Sequence, residues 1–364
     1  MSSPRRNPDI VLFTVTCLLL VIGVVMVASA SFVLGQELGD PFFYVKRQIL
    51  WVLIGVCTMI VMMKIDYHTH FRWAFAGLLV SYVLLALVII IGPEIGGSQR
   101  WLPLGAFRIQ PSEFAKLAII NFLAVYLSVI GERSSKFVPG ILIPLFIVGI
   151  AFVLIFKEPD MGTSVLLLAT AMVMLFVSGA RMLHLGLVVS AGIPAGIVLI
   201  KLEDYRMRRI FSFLDPWEDR LGSGWNIIQS LLAIGSGGLF GLGLGQGREK
   251  FGYLPAAHTD FIFAVIGEEL GFMGTFGVIF LFFLFAWRGL RIAINAPDHY
   301  GSCLAAGITG MIILQAVLNI GVVTGMLPVT GITLPLISAG GSSLVITLAG
   351  IGVLLNISLQ QTKV

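Results

Sequence analysis

Apolar residues run along this chain in long blocks, not at the spacing of an amphipathic surface helix. Ten nearly continuous hydrophobic stretches begin near Ile10, Val45, Trp73, Ser112, Pro139, Met161, Met182, Phe261, Ser302 and Leu336. Each approaches the roughly 20 residues that a helix needs to cross the hydrocarbon core of a bilayer. The pattern predicts an all-α polytopic membrane protein with about ten transmembrane helices. The first stretch ends near Ala30, and Ala28-Ser29-Ala30 has the small residues of a signal-peptidase site. Its apolar run exceeds the about 7–15 residues of a signal-peptide core, so it is read as a retained span. A segment at 201–260 separates the seventh and eighth spans. The chain therefore reads as a single polytopic domain, 1–364, with one large loop at 201–260 bearing interfacial helices.

Composition sharpens this. Of 364 residues, 57% are hydrophobic and 12% charged, with mean hydropathy +0.99. Soluble domains carry about 25% charged residues, so a soluble enzyme, a disordered scaffold, a coiled coil and a secreted disulfide framework are excluded. The net charge of +4 is small and its basic residues are scattered, which argues against a nucleic-acid partner. Cys17, Cys57 and Cys303 are odd in number and irregularly spaced, so they read as packing residues and not as disulfides or zinc ligands. With a cytoplasmic N-terminus, the inner loops carry Arg5, Arg6, Lys64, Arg72, Arg133, Lys136, Arg181, Arg288, Arg291 and Lys363. The short outer loops carry Lys46, Arg47, Arg100, Arg108 and Lys157. This bias predicts that both termini are cytoplasmic and that 201–260 is extracytoplasmic.

That loop is rich in cations on the face expected to be poorest in them: Lys201, Arg206, Arg208, Arg209, Arg220, Arg248 and Lys250. A helix over 202–217 would place Arg206 and Arg209 beside Leu202, Tyr205, Ile210 and Phe213. Arginines there either snorkel to headgroups or meet an anion. A second amphipathic segment, 225–234, reads as an interfacial or re-entrant helix. The glycine-rich run at 235–247 has neither a dinucleotide fingerprint nor a Walker A lysine; it reads either as a cavity wall or as a hinge. Asp260 stands where the loop becomes the eighth span. There it is either a helix cap or an ionised carboxylate, stabilised by the helix dipole, that accepts a proton or holds a cation.

Ionisable residues inside spans are costly and mark candidate sites. Glu113 and Lys116 share a helix face at i,i+3 spacing and can pair. Lys157-Glu158-Pro159-Asp160 forms a tight turn, and Glu268 and Glu269 lie about 12 Å into the eighth span at 1.5 Å per residue. Arg100 adds a cation beside Trp101. The hydroxyl-rich 338–343 stretch, with Ser342, could bind a sugar or a diphosphate.

Five separate stretches carry a resemblance. They are GGSQRWLPLG with QPSEFAK at 96–116, KEPDMGTS at 157–164, QSLLAIGSGGLFGLGLGQG at 229–247, LPAAHTDFIFAVIGEELGF at 254–272 and GMLPVTGITLPLISAGGSSL at 325–344. Together they resemble the SEDS family (shape, elongation, division and sporulation) over nearly the whole chain. APDHYG at 296–301 is more similar to its FtsW and SpoVE branch than to RodA. The resemblance implies a ten-span peptidoglycan glycosyltransferase that polymerises lipid II into glycan strands on the outer face of the bacterial plasma membrane, releasing undecaprenyl diphosphate. It implies that Asp260 is the catalytic carboxylate, that a divalent cation (magnesium or manganese) is required, and that a class B penicillin-binding protein is the transpeptidase partner.

On this reading Arg100, Arg206, Arg209, His258, Thr259 and Ser342 bind substrate. Glu113, Lys116, Asp160 and Glu268 form a charge network, with Lys116 bridging Glu113 and Asp160. No cation ligands are assigned. The chain departs from the family at Ala256, where Glu is usual, and at Ala339, where Tyr is usual. Two other classes compete: a flippase for the lipid-linked precursor, built on interrupted helices, and a scaffold without chemistry.

Overall fold

The computed structural model describes residues 7–94, 98–105, 107–248 and 253–361. Gly96, Gly97, Lys250, Arg5, Arg6 and Lys363, named above, lie outside them. The helices are α1 (Ile10–Glu37), α2 (Phe43–Lys64), α3 (Tyr67–Ile91), α4 (Pro111–Ile130), α5 (Ile143–Lys157), α6 (Met161–Val177), α7 (Met182–Lys201), α8 (Asp204–Leu214), α9 (Trp225–Ser236), α10 (Ile262–Ile294), α11 (His299–Val323) and α12 (Gly341–Leu359). Among the described residues nine helices are long and apolar enough to cross a membrane, and α6 is a shorter apolar helix. The protein is an all-α polytopic membrane protein, as the hydrophobic blocks predict. Boundaries shift by a few residues: α3 begins at Tyr67, α11 at His299 and α12 at Gly341.

Side-chain caps place several of these starts. Asp9, Asp66, Asp160 and Asp298 each accept a hydrogen bond from a backbone N–H in the first turn of α1, α3, α6 and α11, satisfying donors that a helix start leaves open. Pro111 opens α4, where its missing N–H costs no intrahelical bond. A hairpin absent from the hydrophobic pattern, β1 (Leu102–Leu104) with β2 (Phe107–Ile109), precedes α4; Leu102 pairs with Ile109. Three-residue strands are too short to show period-two alternation.

The centre of the bundle is built from α4, α11 and α12, each with a long run of buried residues. Around them α2 packs on α12, α3 on α4, α6 and α10 on α11, and α1 on α10. A Cβ at Gly352 would lie 2.4 Å from the Met59 carbonyl oxygen, so the α2–α12 contact requires a residue without a side chain there. Helices in lipid gain little from hydrophobic exclusion and rely on such close packing. By contrast α7 buries only Leu185.

The 201–260 segment contains two short helices. Helix α8 covers less than the 202–217 expected, and α9 covers the 225–234 segment. After α9 the glycine-rich run turns back against α10, which breaks at Gly271 (φ 65, ψ −162). Leu242 and Gly243 N–H donate to the carbonyls of Glu268 and Glu269, and Phe272 and Met273 N–H donate to those of Gly238 and Leu239. The run does not line the cavity described below. It is a latch that satisfies the backbone groups freed where α10 breaks.

Candidate active site

The alternating direction of successive spans brings the starts of α4, α6, α10 and α12 to one end of the bundle, together with the end of α11. A cavity of ≈ 260 Å³ opens among them. Its charged lining is Arg100, Glu113, Lys116, Asp160 and Asp260; Thr259, Gln315 and Ser342 add neutral polar groups. Of the residues expected to bind substrate or shape the site, Arg100, Thr259, Ser342, Glu113, Lys116, Asp160 and Asp260 meet here.

The backbone that presents Asp260 is held carbonyl by carbonyl. The His258 carbonyl accepts from Ala339 N–H at 3.0 Å, Thr259 from Ser338 Oγ at 2.6 Å, and Asp260 from Asn319 Nδ2 at 2.7 Å. Asn319 Nδ2 also reaches the Ile332 carbonyl at 2.7 Å. One turn earlier on α11, Gln315 Nε2 donates to the Thr333 carbonyl at 3.0 Å and its Oε1 accepts from Lys116 Nζ at 2.9 Å. Two amides at i,i+4 on α11 thus brace the cavity wall: Asn319 ties Asp260 to Ile332, and Gln315 ties Lys116 to Thr333. Gln315 and Asn319 belong to none of the hydroxyl or acid motifs, yet a carboxamide within an apolar span is itself a signal, because it needs partners there.

Lys116 Nζ lies 3.0 Å from the Glu113 carboxylate, as their spacing predicts, and both are buried. Lys116 does not bridge to Asp160. Asp160 instead caps α6: its Oδ1 takes the Thr163 N–H at 3.1 Å, and its Oδ2 takes Thr163 Oγ1 at 2.9 Å and Gln110 Nε2 at 3.3 Å. Capping and lining the cavity are compatible, because an ionised carboxylate has about four lone-pair positions. Arg100 grips the turn before α6, donating to the carbonyls of Glu158, at 3.1 Å, and of Pro159. Within that turn the Glu158 carboxyl is buried without a hydrogen-bond partner. Burial, and then the neighbouring charge of Asp160, push it up to about 9 against the pull of Arg100. Glu158 is therefore neutral at pH 7 and adds no charge.

Burial pushes the Asp260 carboxyl up to about 6; Arg100 and Arg209 oppose the rise and Asp160 adds to it. The group is ionised at neutral pH yet takes a proton far more readily than an exposed aspartate, the property of a general base.

Four expected residues lie elsewhere. His258 does not line the cavity; its ring packs on Tyr44 with centroids 4.9 Å apart, and burial lowers its proton affinity. Arg206 and Arg209 line a neighbouring cleft, although Arg209 still feels the charges of Arg100, Asp160 and Asp260. Glu268 belongs to the latch, where its Oε1 accepts the Arg248 N–H at 2.5 Å. Beside it, Glu269 accepts from Ser29 Oγ at 2.7 Å and from the Gly245 N–H at 3.1 Å. The break at Gly271 turns these acids to the glycine run, a consequence that helix depth and angle alone could not give.

A helical membrane bundle with a buried, acid-bearing cavity at one end defines the class. The sequence matches the family described as Cell cycle protein, FtsW/RodA/SpoVE, over residues 9–363. The chain belongs to that family. Stage V sporulation protein E of Bacillus subtilis (strain 168) is 49% identical over 98% of this chain and 99% of its own length. A probable peptidoglycan glycosyltransferase FtsW of Geobacter sp. (strain M18) is 44% identical, covering 96% of each. A chain from a solved peptidoglycan synthase complex that coordinates polymerization and crosslinking superposes with TM-score 0.80 at 32% identity, covering 96% of this chain and 97% of that one.

Proposed function

We propose that this chain is a peptidoglycan glycosyltransferase that joins lipid II units into glycan strands and releases undecaprenyl diphosphate. The observation that carries the reading is Asp260: a single carboxylate of raised proton affinity in a cavity that also holds Arg100 and Lys116. Asp260 takes the proton of the acceptor 4-hydroxyl as that oxygen bonds to the donor sugar C1. The bond from C1 to the diphosphate oxygen breaks and its electron pair leaves with the lipid diphosphate. Cations are placed to stabilise the charge that develops there.

An apolar groove of ≈ 300 Å³ meets the cavity at Gln110 and Ser342 and runs past Trp51, Leu84 and Phe114. It suits a polyprenyl chain. The cavity lining supplies carboxylate and hydroxyl oxygens and neither His nor Cys, a donor set that fits magnesium or manganese. Among the described residues no cluster of three His, Cys, Asp or Glu forms a complete cage. Magnesium commonly binds through one or two carboxylates and the substrate's phosphates, and Asp160 is the residue that would hold it. The ion would supply neutralisation of diphosphate charge.

The reading further places Asp260 on the extracytoplasmic side of the bacterial plasma membrane with both termini cytoplasmic. It pairs the chain with a class B penicillin-binding protein, in keeping with the synthase complex it resembles. Flippase activity is favoured by nothing at depth: the two deep acids, Glu268 and Glu269, are bound to the latch.

The test is strand synthesis by purified chain with lipid II, a divalent cation and the partner. Asp260→Ala should lower the rate by about 10²–10⁴-fold, the usual contribution of a general base. Full retention of strand synthesis would reject the base assignment, and lipid movement without strands would replace the reading with transport.

A further inference from the structure

Lys116 is 2% exposed and lines the cavity that holds Asp260. A lysine ammonium is a point charge on a flexible four-carbon stem, so its aim has to be set by what it touches. It has three N–H donors. One meets Glu113 Oε1 at 3.0 Å and one meets Gln315 Oε1 at 2.9 Å, which leaves the third for a ligand in the cavity.

The two anchors differ in kind. Glu113 stands on the same helix as Lys116, at i,i+3 spacing. It offsets the charge of the ammonium but ties it to no other element. Gln315 reaches the ammonium from α11, with a neutral oxygen that gives direction and leaves the charge in place. The Gln315 amide can sit only one way round. Its far end meets the Thr333 carbonyl at 3.0 Å. A carbonyl only accepts, so Nε2 lies there and Oε1 faces Lys116. Thr333 belongs to a segment that runs against the base: a Cβ on Gly331 would lie 3.7 Å from Asp260 Oδ2. Asn319 joins Ile332 of that segment to the Asp260 carbonyl. The cation and the base are thus both referenced to 331–333 from one face of α11.

Resting on the glycosyltransferase reading, we propose that Gln315 is a positioning residue that acts through Lys116, aiming its free N–H at a diphosphate oxygen of the lipid-linked ligand. When the C1–oxygen bond to the diphosphate breaks, the electron pair stays on the departing diphosphate. A donor already aimed at that oxygen needs no reorganisation at that moment. Without the Gln315 oxygen the ammonium is held by Glu113 alone and turns toward it, away from the ligand. Leucine or methionine at 315 fills the space but offers Lys116 no strong acceptor.

The experiment titrates the full chain, in lipid nanodiscs, with undecaprenyl diphosphate and with undecaprenol as the phosphate-free probe, and follows tryptophan fluorescence. Gln315→Leu should weaken binding of the diphosphate by about tenfold, the worth of one hydrogen bond to a charged group. Lys116→Met should do the same. Undecaprenol affinity should stay within about twofold of the parent in both, and the double variant within about twofold of Lys116→Met, since independent effects would add and coupled ones do not. Where melting curves show that Gln315→Leu is unfolded, Gln315→Met, which keeps the length of the side chain, takes its place with the same expected loss.

Full diphosphate affinity in either single variant overturns the proposal. So does equal weakening of undecaprenol, or a second full loss when Gln315→Leu is added to Lys116→Met; either result marks Gln315 as packing support. Strand synthesis by the parent is measured in parallel. A parent that makes strands while its Gln315 variants keep full diphosphate affinity removes the positioning role alone. A parent that shows the coupling but makes no strands removes the glycosyltransferase reading and leaves Gln315 serving a lipid-diphosphate site.

Discussion

Asp260 shows how one side chain is tuned by its surroundings. Taken from water into the cavity, its carboxyl rises to about 6 despite Arg100 and Arg209. Only the ionised form can accept a proton, so the activity it supports is present above that value. The logarithm of the strand-synthesis rate should fall with unit slope as pH drops below about 6, and a pH–rate profile checks this. Asp260→Asn should be inactive and at least as thermally stable as the parent, because the buried charge is removed at constant shape. Asn319 acts one bond further back. Replacing it with Leu leaves the buried Asp260 and Ile332 carbonyls without their shared donor, at about 1–3 kcal/mol for each unsatisfied group. The expected result is a kcat reduced by tenfold or more with KM for lipid II little changed, since binding groups stay in place while the base loses its aim. Equal activity of Asn319→Leu would show that the flanking Ser338 and Ala339 bonds suffice.

At the scale of elements, a broken helix decides what the deep acids do. Helix α10 departs from helical geometry at Gly271, in a region of backbone space nearly reserved for glycine and costing about 1–3 kcal/mol for other residues. A Cβ there would also lie 2.3 Å from the Gly241 nitrogen. Gly271→Ala should therefore lower the melting temperature of the purified protein clearly and loosen the glycine-rich latch. Gly277→Ala on the same helix, with open space around the added carbon, should be neutral or slightly stabilising because Ala is the better helix former. Matched melting curves for the two variants would refute the latch as a stabilising contact.

For the whole molecule, the ten hydrophobic blocks fix direction as well as number. Successive spans alternate in direction, so the starts of α4, α6, α10 and α12 share an end with Asp260. The opposite end is tied by the pairs Arg288–Asp9 and Tyr67–Asp298. On the proposed topology, a cysteine at the exposed Tyr253 position should react with a membrane-impermeant maleimide on intact cells. A cysteine at His68 should react only after lysis. The reverse pattern would put the cavity on the cytoplasmic side and end the lipid II polymerase reading.

The sequence by itself determined the spans, the Glu113–Lys116 pair and the placing of Asp260 at a helix start, because hydrophobicity and helical spacing act over a few residues. It also carried the motifs that name the family. Only the tertiary structure decided that Asp160 caps α6 instead of meeting Lys116, that Glu268 faces the glycine run, and that His258 packs away on Tyr44. It likewise decided that Arg206 and Arg209 line a cleft of their own, that Asn319 holds the Asp260 carbonyl, and that Gln315 joins Lys116 to Thr333. Those outcomes depend on which helices pack side by side and where α10 breaks. Such contacts join residues far apart in the chain, and no local pattern encodes them.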